Sequence, residues 1–579
     1  MKKRFSISIL LIIGVILSQP CRATVVSYDI TGLTPGDAYD NVIAVLKNLK
    51  KDLDPDKRIP DNLTAQLKKT QHRINDALKP FGYFNANVVV GSQVKASENS
   101  IALTIGIRPG PVTRLTKASI TVTGAAKTDP AFKAILQQYA PTINAPLNTK
   151  QYQELKKQLY NTAAQRGYFE ATMVSNQILI DQKAHQATMT LHFNSGSRYT
   201  IKNITVDSEH FDSAYIKKFI TLKPSSYYNA EDIELTKKHL INSNNFKNVI
   251  IQTSNRNKNT DTIDVHVILK DKKPMQFLLG AGYGTDTGIR GTLGVNFRHL
   301  NPKGQQLETL LQASQYNSSF TTTLKIPGNN PVTQNHFVSA GIGHINQDTG
   351  NSDVTKIAYS YVTKKKNWQR TLSLNALNEN YDITDIPKTD AKLIYPNVNW
   401  TRRVADNLLN PSRGLATTIN LSGAPDFLTS KDTGFTQIRI DSSMLSSFND
   451  RKVRLLLRNS LGETDIDDLS RLPLSLQLFA GGSRSIRGYS YNSIGPGKNL
   501  VTGTVELQKR LPNLKSWYLA GFIDAGNVSD DNVLTGMKSS SGFGVVWLSP
   551  LGMVELDLAF PLPKDDHGVH VSFSMGPAL

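Results

Sequence analysis

The last 305 residues of this chain carry an alternation of apolar and polar side chains that excludes a helical fold for more than half of its length. From Met275 onward, segments of about 8–12 residues alternate in this way between clusters of Gly, Asn, Asp, Ser and Pro. The final segment is the clearest, because Val569, Val571 and Phe573 share one face while His570 points to the other. A period of two indicates β-strands whose two faces meet different environments.

A soluble β-sandwich and a membrane β-barrel both produce this alternation, and the length of the segment distinguishes them. A sandwich turns its apolar face inward, and 305 residues without helical periodicity are too many for one such domain. A membrane barrel turns the apolar face to lipid and closes on itself, so that no strand edge is left unpaired in hydrocarbon. At about 19 residues per strand and connection, residues 275–579 predict a transmembrane barrel of about 16 antiparallel strands.

The N-terminus has the layout of a secretory signal peptide. Basic residues at 2–4 precede an apolar run at 7–17 and a small-residue cleavage site that ends at Ala23. Cleavage there defines a signal segment of residues 1–23 and removes Cys21, the single cysteine of the chain. Lipidation of Cys21 is the alternative, and the proline before it disfavours that processing. The mature chain therefore requires neither a disulfide nor a thiol catalyst.

Between the signal segment and the alternating tail, one motif occurs three times. Gly82-Tyr83-Phe84 recurs 85 residues later as Gly167-Tyr168-Phe169, and a weaker copy is Asn244-Asn245-Phe246. Each copy follows a segment of helical periodicity and precedes a β-branched, alternating one, and Gly is suited to end a helix and lead into a strand. The predicted order is strand, helix, helix, strand, strand, three times. The predicted repeats are residues 24–110, 111–195 and 196–272.

The net charge of +19 lies mostly on these repeats. Residues 24–274 hold 33 basic and 22 acidic side chains, whereas residues 275–579 hold 29 and 25. A lysine-rich soluble surface explains the excess, and so does contact with anionic headgroups or an acidic partner. Nucleic acid fits poorly with an exported chain that lacks an aromatic-basic motif. With only 39% hydrophobic residues, a helical membrane bundle is excluded.

Three charged residues near the C-terminus form the most specific candidate site. Arg487 lies in a long segment rich in Gly, Ser and Asn, while Glu506 and Asp524 lie on the next two predicted strands. If the lumen is the polar side, both carboxylates project inward, and a guanidinium can bind two carboxylates through separate edges. Three solvated charges that never meet explain the same pattern equally well.

Several of these motifs resemble the signature of the BamA-like outer-membrane assembly superfamily. They are the Ile486-Arg487-Gly488-Tyr489 loop, the Phe522-x-Asp524-x-Gly526 strand and the Ser549-Pro550-x-Gly552 strand. The repeats resemble the POTRA (polypeptide-transport-associated) domains of that superfamily. Their number resembles its TamA (translocation and assembly module) branch in particular.

The resemblance implies a lock in which the loop arginine is held inside the barrel by acidic residues of adjacent strands. Carried onto this sequence, the lock comprises Arg487, Gly488, Tyr489, Glu506 and Asp524. Relatives often have Pro where this chain has a Met after the Ser-Pro-x-Gly motif, a departure that leaves the lock intact.

The resemblance also implies a seam where the first and last barrel strands meet and can part laterally. Gly280, Gly282 and Gly284 on one side and Gly576 on the other weaken that seam, because Gly packs little. Pro577 adds to this, since it donates no ladder hydrogen bond.

The implied function is an assembly factor in the outer membrane of a Gram-negative bacterium, with the POTRA domains in the periplasm. It would insert or translocate β-barrel and autotransporter-type proteins through POTRA strand addition and the lateral seam. The implied partners are unfolded outer-membrane proteins, membrane lipid and a large TamB-like inner-membrane protein, with no nucleic acid.

Two other functions remain open on the sequence. A two-partner-secretion transporter shares the loop motif but typically has two repeats and a plug helix, and a passive pore would lack the repeats. Conductance across a planar bilayer distinguishes either from an assembly factor. An enzyme has no support, since Gly-x-Ser-x-Gly, His-Glu-x-x-His and phosphate-loop motifs are all missing from the sequence. We expect no cofactor and no metal site.

Overall fold

The computed structural model describes residues 25–52, 63–95, 100–383, 386–430, 434–550, 552–562 and 568–576. The predicted signal segment 1–23, with Cys21, lies outside these residues. Pro577, which the seam prediction includes, lies outside them as well.

The mature N-terminal half has the predicted order of strand, helix, helix, strand and strand in each repeat. The first repeat consists of β1 (Val25–Thr31), α1 (Asp37–Asp52), α2 (Leu63–Leu78), β2 (Asn87–Lys95) and β3 (Ser100–Arg108). The second consists of β4 (Arg114–Thr123), α3 (Pro130–Tyr139), α4 (Thr149–Arg166), β5 (Thr172–Asp181) and β6 (Gln186–Asn194). The third consists of β7 (Thr200–Asp207), α5 (Ser213–Lys217), α6 (Ala230–Asn242), β8 (Phe246–Asn257) and β9 (Thr262–Asp271).

Each repeat forms a sheet in which the last strand in sequence lies in the centre. The strand orders are β1-β3-β2, β4-β6-β5 and β7-β9-β8. In the first two repeats the opening strand pairs in parallel with the central one, and the other edge pairs antiparallel. In the second repeat, alternate residues of β6 are buried against α4, whose Leu155, Leu159 and Ala163 repeat every four residues. One face of a strand therefore packs against one face of a helix, as the two periodicities in the sequence predict.

The Gly-Tyr-Phe motif joins one repeat to the next. Gly167 ends α4 with a positive φ of 84°, and its carbonyl accepts a hydrogen bond from the backbone N–H of Tyr199 at 2.9 Å. Tyr168 is buried in the core of its own repeat. Phe169 instead packs edge-on against Tyr199 and Tyr228 of the third repeat, with ring centroids 5.4 and 4.8 Å apart.

The first copy of the motif makes the same connection. The carbonyl of Gly82 accepts from the backbone N–H of Thr113 at 2.9 Å. Tyr83 packs on the core of the first repeat, and Phe84 packs on the core of the second. In both copies, the tyrosine therefore packs on the core of its own repeat and the phenylalanine packs forward on the next repeat.

From Met275 onward the chain is built of strands. They are β10 (Met275–Gly284), β11 (Gly288–Phe297), β12 (Gln306–Ser314), β13 (Asn317–Pro327), β14 (Gln334–Gln347), β15 (Gly350–Lys365), β16 (Trp368–Ile383), β17 (Ile386–Ala405), β18 (Arg413–Ala424), β19 (Phe435–Phe448), β20 (Val453–Asp465), β21 (Leu478–Ala480), β22 (Ile494–Gly497), β23 (Asn499–Arg510), β24 (Trp517–Ser529), β25 (Lys538–Ser549), β26 (Gly552–Leu562) and β27 (His570–Gly576).

Within the described residues, sixteen of these strands form one antiparallel sheet in sequence order from β10 to β27. The short strands β21 and β22 pair with each other outside that sheet. The fold class predicted from the alternating pattern is confirmed.

The two faces of the barrel strands have the inverted polarity of a membrane barrel. Along β24, Leu519 and Ile523 are exposed on one face, whereas Phe522 and Asp524 are buried on the other. The apolar side chains therefore point outward and carboxylates point into the lumen. No helix in the described parts of the chain is long and apolar enough to cross a bilayer.

Candidate functional site

The connection between β20 and β23, residues 466–498, is the lid loop, and it carries Arg487. The hairpin of β21 and β22 and a buried apolar cluster that includes Ile486 and Tyr489 give it a core of its own. Gly488 has a φ of 101°, and a Cβ there would lie 3.2 Å from the Cβ of Ser540 on the wall. Glycine at this position therefore lets the loop backbone approach the wall closely.

Arg487 is 1% exposed and is surrounded by carboxylates. Its Nη1 lies 2.8 Å from Glu506 Oε2, and its Nε and Nη2 donate to the two oxygens of Asp524 at 2.9 and 3.0 Å. Nη1 also donates to Asp557 Oδ2 at 3.1 Å. These four residues are the lock, and they include both carboxylates that the sequence proposed for Arg487.

The backbone of Arg487 takes part as well, since its N–H donates to Asp524 Oδ2 at 3.0 Å. Asp524 therefore fixes the loop backbone and its side chain together. The guanidinium carbon of Arg487 lies 3.3 Å from the ring centroid of Phe522. Phe522 lies on β24, the strand that also carries Asp524, and its ring stacks on the guanidinium. Phe522 and Asp524 are two residues apart and share the inward face, which explains the Phe-x-Asp spacing of the motif.

Asp557 is the member of the lock that the sequence analysis missed. It lies on β26, two residues after Glu555, and both side chains are buried on the inward face. The alternating Glu-x-Asp pair was a usable signal, because two carboxylates on the luminal face of one strand need a cation nearby. The lock therefore extends over the wall from β23 to β26.

Strand β25 lies between β24 and β26 and makes room for the lock with two glycines. A Cβ at Gly542 would overlap with Cζ of Phe522, and a Cβ at Gly544 would overlap with Oδ1 of Asp557. Neither position accepts a side chain without displacing the residue that contacts Arg487. The Gly542-Phe543-Gly544 motif is thus part of the site.

Tyr489, also assigned to the lock by resemblance, has a different place. It is 9% exposed within the apolar cluster of the lid loop. Its carbonyl accepts from the backbone N–H of Gly482 at 3.0 Å, which closes the turn that presents Arg487. Tyr489 therefore shapes the loop.

The seam is the facing pair of barrel ends, β10 with the following Thr285 and β27. In the part of the chain that the structure describes, β10 and β27 share no strand ladder and stand at the two ends of the sheet. The backbone N–H of Thr285 donates to the carbonyl of Phe573 at 3.2 Å, and the N–H of Phe573 donates to Thr285 Oγ1 at 3.3 Å. The rings of Tyr283 and Phe573 lie 6.1 Å apart.

The four glycines assigned to the seam have different surroundings. The Cβ position of Gly284 lies 3.7 Å from the carbonyl oxygen of Phe573, across the seam. The nearest neighbours of Gly280 and Gly282 are side chains of β11, on the ladder side. The Cβ position of Gly576 lies 3.0 Å from Nη2 of the lid-loop residue Arg484.

Among the residues that the structure describes, no group of three or more His, Cys, Asp or Glu side chains is arranged to hold a metal ion.

Sequence comparison identifies the family of both halves of the chain. Residues 279–578 match the Omp85 superfamily domain. The chain belongs to the Omp85 superfamily. Residues 27–109 match the POTRA domain that is domain 1 of TamA, and residues 199–272 match a POTRA domain described as a surface antigen variable number repeat.

A solved structure of BamA shares this fold. BamA from Haemophilus ducreyi lacking POTRA domains 1–3 superposes with a TM-score of 0.68 at 14% identity, over 79% of this chain and 99% of that one. CdiB from Acinetobacter baumannii gives a TM-score of 0.45 at 13% identity, over 93% and 99% of the two chains.

The family, the fold class and the location are thereby confirmed. This Omp85 chain is a Gram-negative outer-membrane barrel with periplasmic POTRA domains. It is a member of an outer-membrane insertion and translocation family.

Proposed function

We propose that this Omp85 protein is a non-enzymatic assembly factor that inserts or translocates β-barrel and autotransporter-type clients through its seam. The observation that carries the proposal is the way the seam is held. Within the residues that the structure describes, Thr285 and Phe573 supply the backbone pairing between the two barrel ends, and they do so beyond the end of β10.

A strand edge without a ladder is the natural template for an incoming strand. In hydrocarbon each unsatisfied backbone group costs several kcal/mol, so an edge along Met275–Gly284 gains strongly from any strand that pairs with it. A client supplies main-chain donors and acceptors whatever its sequence, which suits a factor that handles many clients. Lateral opening at this edge is therefore the proposed step of insertion.

The height of the wall near the seam supports a second part of the proposal, local thinning of the bilayer. β10 has 10 residues and β12 has 9, whereas β16 has 16. At about 3.4 Å per residue, β12 is about 31 Å long and β16 about 54 Å. A short wall beside the seam would draw the two leaflets together, which lowers the barrier to inserting a client strand.

The POTRA sheets are proposed to receive clients before the barrel does. β5 is an edge strand of the second repeat, and its Val174 and Leu179 are each 60% exposed. An exposed apolar edge accepts an extended chain by strand addition. The basic excess on residues 24–274 would help to hold an acidic segment of a partner or client, and the first repeat is the proposed dock of a TamB-like inner-membrane protein.

The proposal is tested by locking the seam chemically. Tyr283→Cys and Phe573→Cys place two thiols where two rings now lie 6.1 Å apart, and a mature chain from which Cys21 has been removed has no other cysteine. A short reversible thiol cross-linker should then reduce client assembly into vesicles about ten-fold or more, and reduction should restore it.

The matched control is Leu324→Cys with Val338→Cys, which are register partners inside the continuous ladder of β13 and β14. Cross-linking this pair should leave assembly unchanged. Full assembly by a protein with a linked seam would refute insertion through the seam. A large steady conductance in a planar bilayer would instead favour the passive or two-partner-secretion pore.

A further inference from the structure

The turn between β10 and β11 is bonded directly to the lid loop. Asp286, which follows Thr285, accepts the backbone N–H of Ser483 with both carboxylate oxygens, each at 3.0 Å. The hydroxyl of Ser483 also donates to Oδ2 of Asp286. A Cβ at Gly482 would lie 2.9 Å from Oδ1, so a glycine there lets the carboxylate reach the Ser483 N–H. This group of contacts is the clasp.

The clasp and the lock are close neighbours in the lid loop. Ser483 and Arg487 are four residues apart, and the turn between them is closed by a hydrogen bond from the N–H of Ser485 to the carbonyl of Gly482 at 3.1 Å. The clasp holds the first hairpin of the barrel, whereas the lock holds strands β23, β24 and β26 on the C-terminal side. One short turn is therefore fixed to barrel strands on both sides of the seam.

Between these two anchors, the lid loop also reaches the last strand. Arg484 follows Ser483, and its Nη2 lies 3.0 Å from the Cβ position of Gly576 on β27. Along five residues the loop thus meets the first hairpin, the last strand and the wall in turn.

Side-chain packing does not fill the junction beside the clasp. A cavity of about 150 Å³ lies there, and its lining includes Asp286, Ser483, Tyr489 and Ser572. Hydrogen bonds of the clasp, together with the pair of Thr285 and Phe573, therefore hold the first hairpin at this end of the seam.

We infer that Asp286 is a positioning residue that makes the lid loop a brace across the seam. While the clasp is closed, the first hairpin cannot leave β27 without pulling on the turn that Arg487 anchors. Breaking the clasp releases the hairpin while the lock stays closed. The consequence for clients rests on the proposed function, whereas the brace itself concerns only the closed barrel.

The inference is tested by hydrogen exchange of the β27 peptide that carries Phe573, whose N–H donates to Thr285 across the seam, in purified protein without any client. Asp286→Ala should speed this exchange about ten-fold, because exchange occurs from the opened seam and loss of charge-assisted hydrogen bonds raises the open population by roughly that factor. Asp353→Ala removes a carboxylate whose hydrogen bond is to His344 at 2.8 Å, away from the lid loop, and should leave the rate unchanged.

Coupling through the clasp is separated from a general loss of structure by a double-mutant cycle. Ser483→Ala removes the hydroxyl but keeps the backbone donor, and its effect should largely disappear in the Asp286→Ala background. If Asp286→Ala does not form a heat-modifiable barrel, Asp286→Asn, which keeps the shape and loses the charge, replaces it in the same measurement.

An unchanged exchange rate of the Phe573 peptide in a folded Asp286 variant, or additive effects in the cycle, would overturn the brace. Because this readout needs no client, that result would leave insertion through the seam standing. Conversely, a linked seam that still assembles clients would refute insertion there and leave the brace standing.

Discussion

The barrel wall is closed in two different ways, and the wall between β23 and β26 contrasts with the seam. Between β23 and β24 the ladder runs without a break from Asn499↔Ser529 to Arg510↔Tyr518, and the buried lock reinforces it from inside. At the seam, Thr285 and Phe573 make the described backbone pairing without a ladder.

The difference shows where this barrel places its rigidity. Three buried carboxylates share one arginine, so loss of that cation is strongly destabilising and the lock tolerates few geometries. A seam with few hydrogen bonds tolerates many geometries, including one in which another strand pairs with the edge. The chain therefore combines a wall that keeps its shape with an edge that exchanges partners.

The largest expected effect comes from removing the cation of the wall. Arg487→Ala leaves buried carboxylates without their counter-ion and should lower the free energy of unfolding by about 3–5 kcal/mol. Client assembly should fall with it, since the lid loop loses its anchor on the wall. Urea unfolding of the purified barrel and assembly into vesicles measure the two effects.

Arg439→Ala is the control for this substitution, because Arg439 pairs with Asp441 at a partly exposed site. Its effect should remain below about 1 kcal/mol. Arg487→Lys should not rescue the lock, since an ammonium group cannot bind a carboxylate through two parallel N–H bonds. Normal stability and assembly in Arg487→Ala would show that the contrast between wall and seam has no energetic basis.

A smaller effect is expected from crowding the lock without touching its charges. Gly542→Ala places a Cβ in overlap with the carbonyl oxygen of Leu558 and with Cζ of Phe522. It should destabilise the barrel by about 1–3 kcal/mol, as overpacking does.

Gly521→Ala on the neighbouring strand has open space around its Cβ and should be close to neutral in the same urea titration. Equal effects of these two glycine substitutions would mean that the wall adapts as easily as the seam.

The smallest effect concerns a carboxylate anchor outside the membrane, in the second repeat. Asp129 accepts from Tyr168 at 2.8 Å, from Arg166 at 2.9 Å and from the N–H of Ala131 at 3.0 Å. Burial opposes its ionisation, yet these donors hold the pKa of Asp129 below its usual value of 3.8. The stabilisation is complete above pH 3.8 and is lost as pH falls through the lowered pKa.

Asp129→Asn should therefore cost about 1–2 kcal/mol at neutral pH and much less in acid. Hydrogen exchange of α4 in the full chain, followed from neutral pH down to about pH 2, measures this difference because the range extends through the lowered pKa of Asp129. If the hydrogen-exchange protection of α4 depends on pH equally in the unmodified protein and in Asp129→Asn, then Asp129 is not the cause of the pH dependence.

Much of the architecture could be predicted because it depends on local periodicity. The alternation after Met275 predicts the barrel from short windows of sequence. The two Gly-Tyr-Phe copies, with the weaker copy Asn244-Asn245-Phe246, predict the repeats in the same way. Arg487, Glu506 and Asp524 were singled out because the two carboxylates share the inward face of adjacent strands, and the structure brings all three together.

Other parts of the site depend on register across the whole barrel, which no local pattern contains. Thr285 and Phe573 are 288 residues apart and meet because of the stagger with which the sheet closes. The sequence assigns Gly280 and Gly282 to the seam because glycine packs little. In the structure their nearest neighbours are side chains of β11, on the ladder side of β10. Asp286 was missed because its partner is backbone in a distant loop, which leaves no complementary residue type to find.

The forward-pointing phenylalanine of the Gly-Tyr-Phe motif makes the POTRA repeats directional building units. Each of the first two repeats carries, in Phe84 and Phe169, the aromatic that seats the module after it. An N-terminal fragment that ends just after either motif leaves the ring of its phenylalanine exposed. A C-terminal fragment that begins at β4 or β7 lacks the phenylalanine that packs on its first repeat. A rearranged chain therefore keeps both joints only if each exchanged segment begins and ends at the same point of the motif.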